Sequence, residues 1–188
     1  MKKIICVMAM AVVIAPSCRK VGQVADVSFS SPYHQTATVP AVPGYDFGST
    51  LPNGGVDVSF PQDTLQTNSQ QYFDQYHVSG KNVKSATFST GEVTMVTATS
   101  VDFMDKIEIY VSADGLPEVL VAYQDNIPKG QRTMTLLSSG QNMREYIKHP
   151  VVYGRVKAHL NKIPAPGTIL NISAEFEMIA NAIVNYDK

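Results

Sequence analysis

The chain has 188 residues, 44% of them hydrophobic and only 16% charged, with a formal net charge of -1. That length suits one domain with a core large enough to need no disulfide or metal staple. The balance of charge leaves no basic face of the kind nucleic acid requires, so that class of partner is set aside.

The first predicted element is a targeting segment. Lys2 and Lys3 make a charged start, Ile4 to Ala15 form an unbroken apolar run, and the small Ser17 precedes Cys18. The run is shorter than the roughly 20 residues a membrane-spanning helix needs, and the three-part order is that of a secretory signal. The two cysteines, Cys6 and Cys18, both fall in this region, so residues after 18 can form no internal disulfide.

The stretch "APSC" (15–18) resembles the lipobox that ends the signal of bacterial lipoprotein precursors, although Ala15 stands where that class prefers Leu and Pro16 where it prefers a small residue. The resemblance implies cleavage before Cys18, whose thiol then takes a diacylglycerol. It further implies a membrane partner reached through the acyl chains. The expected location is the cell envelope of a Gram-negative bacterium, anchored to the outer membrane. An ordinary secretory signal cut nearby, or a retained amino-terminal helix, are the alternatives. The expected division is a signal peptide over 1–17, a lipidated cysteine and tether over 18–23, and a single domain over 24–188. Loss of Lys2 and Lys3 with the signal leaves 13 bases against 16 acids, a net charge of -3. Arg19 and Lys20 lie where they meet anionic head groups and lean towards a periplasmic face.

Residues 24–30 read as a strand, followed by a long loop over about 31–55. Five of the eleven prolines (Pro32, Pro40, Pro43, Pro52 and Pro61) concentrate between 32 and 61, and proline removes a ladder donor. Val56, Val58 and Phe60 alternate on one strand face. Over 67–77, Tyr72, Phe73 and Tyr76 form one helical stripe, with Thr67 or Asn68 as cap and Gly80 as stop. That stripe is either a sugar-stacking platform or, more in keeping with the absence of Trp, a plug for the end of a sandwich.

From 83 the pattern is of successive strands: 83–89 turning at Thr90-Gly91 into 92–100, then 106–112, a turn at 113–117, and 118–124. A further turn at 126–130 leads to a strand over 131–139. Ser138 and Gln141 resemble a capping box for a second helix whose stripe is Met143, Tyr146 and Ile147, stopped by Pro150. Strands over 151–160 and 168–181 finish the chain, the latter with one phase shift at a bulge. About nine strands and two short helices, with no helix regularly between strands, predict an antiparallel β-sandwich, immunoglobulin-like in the broad sense. A closed β-barrel is the alternative.

Chemistry is sparse. His34, His77, His149 and His159 are scattered singly. Asp102, Asp105 and Asp114, with Glu108, Glu118 and Asp125 nearby, are weak calcium candidates or an acidic edge that discourages strand pairing. No nucleophile elbow, S-x-x-K, H-E-x-x-H or phosphate loop occurs. No catalytic residue, resident metal or cofactor is expected. The leading expectation is a non-enzymatic binding or scaffolding module for an envelope protein or glycan. The alternatives are a glycan-active or hydrolytic accessory enzyme, and a carrier whose apolar ligand lies between the sheets against residues such as Phe88, Met95 and Ile109.

Overall fold

The structure, a computed structural model, describes residues 23–49, 51 and 54–184. The signal segment and Cys18 lie outside the described residues. In chain order the strands are β1 (Gln23–Thr38), β2 (Val56–Ser59), β3 (Asp63–Gln66), β4 (Val83–Met95), β5 (Met104–Ala113), β6 (Leu116–Asp125), β7 (Thr133–Thr135), β8 (Leu137–Ser138), β9 (Val151–Leu160) and β10 (Ile169–Val184). The one α-helix among the described residues, α1 (Ser69–Gln75), precedes β4. One sheet runs β1-β10-β4-β7; in the other, β2 and β3 share one side of β9, followed by β5, β6 and β8. All pairings are antiparallel. The expected β-sandwich is therefore observed, and since each sheet keeps its own edges, the barrel alternative is wrong.

Alternation places the core. Along β9, Val152, Gly154, Val156, Ala158 and Leu160 are buried, and Leu170, Ile172, Ala174, Met178 and Ala180 are their counterparts on β10. Near one end Leu170 pairs with Met95 and Met104 with Leu160, all four fully buried.

Several expectations are corrected by sheet context. The first strand does not stop at residue 30: β1 continues through Pro32 to Thr38. As an edge strand it has a ladder on one side only, so the missing proline donor is tolerated. Thr90-Gly91 is no turn but the middle of a continuous β4. A Cβ on Gly91 would stand 2.6 Å from Phe88 Cζ and 2.8 Å from the Ser173 carbonyl oxygen, so the glycine serves close packing. Nor does β10 shift phase, because the two bulges place their extra residues, Lys84 and Ser89, on β4. The hairpin between β5 and β6 is tighter than expected, turning on Asp114 and Gly115, with Gly115 at φ 75°. Residues 131–139 are two strands, since the chain leaves β4 after β7 and crosses to β6 as β8.

The helices differ too. Of the two expected caps, Asn68 makes no side-chain cap, while Thr67 Oγ1 accepts from Ser69 N, the first residue of α1, at 3.5 Å. The same hydroxyl donates to the His149 carbonyl at 2.7 Å, and Asn68 sits in the left-handed region. His77, at φ 53°, takes the chain out of helical geometry before Gly80 is reached. Of the aromatic stripe, Phe73 is buried, Tyr72 half-buried and Tyr76 exposed, with Tyr76 and Tyr72 stacked on Phe29 of β1 at 4.7 and 6.2 Å between centroids. The second helix is a single 3₁₀ turn, Tyr146–Lys148. Its expected first turn is committed to β4 instead, with Met143 N donating to the Ala86 carbonyl and Asn142 Oδ1 accepting from Ala86 N.

Candidate functional site

Midway along the sandwich the alternation leaves a gap. Tyr33, Ala174 and Gly91 form one row across the first sheet, and Asp63, Gly154, Val111 and Val119 form a row across the second. The neighbouring inward positions carry Ile172, Phe176, Val152 and Val156, but each of these two rows has a small residue at its centre. Inner faces about 10 Å apart need large side chains to fill the space between them. Here a cavity of about 100 Å³ remains, lined largely by apolar side chains that include Ile109, Val111, Val121, Ile172 and Ala174.

The gap is partly closed by neighbours. Leu65 of β3 leans over Gly154, with its Cδ1 3.0 Å from where a Cβ would stand, and the Phe88 ring covers Gly91. Ala174, 4% exposed, is the lining position from which a longer side chain would reach into the space.

The cavity reaches the open side of the sandwich between β1 and β3, where Tyr33, Gln35, Leu65 and Thr67 line it. A chain of hydrogen bonds spans the two sheets at this mouth. Tyr33 Oη donates to Gln35 Oε1 at 2.7 Å, and Gln35 Nε2 donates to Asp63 Oδ2 at 2.7 Å. Asp63 Oδ1 accepts from Thr64 N at 2.8 Å. Burial, reinforced by the Asp63 carboxylate, pushes the Tyr33 hydroxyl well above its ordinary pKa, so it remains a neutral donor.

Of the residues expected to line a space between the sheets, Phe88 and Ile109 line the cavity, whereas Met95 is fully buried elsewhere in the core. The rest of the 31–55 segment is at another place. Thr38 pairs with Ile169 and Gln23 with Val184, so the described residues that follow β1 (39–49, 51, 54 and 55) lie at its end away from residue 23. Val39 and Leu51 pack into the core there, and Phe47 is 66% exposed.

The acidic residues do not converge. Asp102 accepts from Gly130 N at 2.6 Å and Asp105 from Lys129 Nζ at 2.9 Å, so both fasten the 126–130 turn. Burial alone would raise the Asp105 pKa, but hydrogen bonds from Lys129 and Asn161 hold it below the usual carboxylate value. Asp114 occupies the hairpin turn at the far end of β5, roughly 30 Å from Asp105 at about 3.3 Å per residue. Among the described residues no three His, Cys, Asp or Glu side chains gather as a metal site. The acids of the outer face are interleaved with bases instead: Glu118 meets Arg155 at 3.1 Å and Lys157 at 3.6 Å, and Glu108 meets Lys106 at 2.6 Å.

One histidine has a defined setting. His159 Nδ1 lies 2.7 Å from Asp57 Oδ1 and Nε2 lies 3.2 Å from the Gly54 carbonyl oxygen. The Asp57 carboxylate, aided by that carbonyl, raises the imidazole above its ordinary pKa of 6.5. With an acceptor at each nitrogen, the protonated ring can donate at both. A folded pKa above the unfolded one gives stability that is complete below pH 6.5 and lost as pH rises through the folded value. The urea midpoint is therefore expected to fall between pH 6 and pH 8, and His159→Gln should flatten that dependence.

No protein-family model matches the chain, and the search of curated proteins found no match. Among solved structures, a chain from Desmodium yellow mottle tymovirus is similar at 8% identity, covering 87% of this chain and 93% of that one, with a TM-score of 0.23. A chain from turnip yellow mosaic virus is similar at 10% identity, covering 100% and 95%, with a TM-score of 0.30. Likeness at that level carries no argument about this protein.

Sequence reasoning passed over Tyr33, Gln35, Asp63, Gly154 and Ala174. The usable signal was Ala174, a small residue on the same strand face as Leu170, Ile172 and Met178.

Proposed function

We propose that the chain is a lipid-anchored, non-enzymatic binding module of the bacterial cell envelope whose ligand is a small apolar molecule held between the two sheets. The observation that carries this reading is the apolar cavity of about 100 Å³ at the Ala174 and Gly154 rows. Water placed among such side chains finds few hydrogen-bond partners, so the space is dry or takes an apolar guest. A comparable engineered cavity of about 150 Å³ stays dry and accepts benzene, which sets the guest's scale at one small ring or a short alkyl chain. The anchor rests on the first 18 residues: a charged start, an apolar run and "APSC", which supply Cys18 as the acylated thiol.

Benzene is the simplest probe. At ten times its dissociation constant a guest that binds only the folded state adds about 1.4 kcal/mol. For a chain of this size that is a rise of roughly 3–6 °C in Tm. An unchanged or lowered Tm across a titration up to the solubility of benzene would count against the reading.

A further inference from the structure

We propose that the Tyr33–Gln35–Asp63 chain at the mouth selects ligands that end in an uncharged hydrogen-bonding head, such as a primary alcohol, over ligands that end in a carboxylate. The inference rests on the cavity reading above and adds the class of head group to it.

Gln35 is the central residue. Its oxygen accepts from Tyr33 and its nitrogen donates to Asp63, which among the described residues leaves one amide N–H and one oxygen lone pair without a partner. Asp63, occupied once at each oxygen, also keeps lone pairs free. A hydroxyl emerging from the cavity can accept from the Gln35 amide and donate to the Asp63 carboxylate, satisfying both. A carboxylate head has no proton to donate and would stand beside a like charge.

The cations at or beside the lining, Arg155, Lys148 and Arg144, each lie against a carboxylate, Arg144 Nε being 3.5 Å from Glu145 without a hydrogen bond. Arg155, on the outer side of β9, is bound to Glu118 at 3.1 Å, and Lys148 is bound to Glu145 at 2.7 Å. The Tyr33 hydroxyl is raised first by burial and then by the Asp63 carboxylate, and both disfavour a second anion at the mouth.

The test compares 1-hexanol with hexanoate at pH 7.5 by calorimetric titration of the wild-type protein and of Asp63→Asn. Asparagine keeps an oxygen for Gln35 and removes the charge. Hexanol should bind at least tenfold more tightly than hexanoate to the wild type. A carboxylate prefers water at any site, so the decisive quantity is the change on substitution. Asp63→Asn should strengthen hexanoate at least fivefold and leave hexanol within about threefold. If both ligands bind and Asp63→Asn moves neither, head-group selection is overturned and the cavity reading stands. If neither ligand binds, the cavity reading falls and takes this inference with it. Gln35→Leu supplies a second variant: it should weaken hexanol without strengthening hexanoate, and a gain for hexanoate would contradict the assigned roles.

Discussion

Replacing Ala174 with leucine should abolish benzene binding and stabilise the protein at the same time. Ala174 lies in the first sheet between Tyr33 and Gly91, is buried, and lines the cavity. Leucine adds three carbons that point into the space a guest would use. Burying them contributes about 0.8 kcal/mol each, or roughly 2 kcal/mol together, provided the rotamer fits without strain. Overpacking would reverse the sign at a cost of about 1–3 kcal/mol. A cavity of about 100 Å³ makes the favourable outcome the expected one. Urea denaturation reads the stability and calorimetry reads the binding. Unchanged benzene affinity in Ala174→Leu would show that the guest sits elsewhere.

Cys18→Ala should remove the protein's mature form from membranes altogether. The proposed anchor is the set of acyl chains carried by this thiol, and each buried methylene contributes about 0.8 kcal/mol. One chain binds reversibly and two or three hold firmly. Arg19 and Lys20 add only about 1 kcal/mol each near an anionic surface, an attraction that high salt removes. In a salt-washed membrane fraction the wild type should remain, with an amino-terminal peptide that begins at Cys18 and carries acyl mass. The alanine variant should be found released, or as uncut precursor. Mature-length Cys18→Ala protein still held in washed membranes would refute the anchor.

How much of this was legible in the sequence depended on whether the cause was local. The alternation of β9 and the Asp114-Gly115 hairpin are written in adjacent residues, so the β-sandwich followed from them. Pro32 and Gly91 were misread because their meaning is set by neighbours far along the chain. Pro32 is tolerated because no described strand pairs on the other side of β1, and Gly91 is required by Ser173, 82 residues later. The expected helix over 138–149 had the right buried residues, Met143 and Tyr146, but its backbone hydrogen bonds went to Ala86 of β4. At the candidate site, Phe88 and Ile109 were found from apolar patterning, while Gln35 and Asp63 were not. Their bond joins two sheets through edge strands, and no spacing in the chain announces it.

The most direct test is a crystal structure of the protein under xenon pressure. Xenon fills dry apolar cavities and needs no polar partner. The expected result is a xenon site between Ala174 and Gly154, in contact with Ile109 and Val121. A cavity holding hydrogen-bonded water in place of xenon, or xenon bound only at other positions, would contradict the account of an apolar ligand site between the sheets.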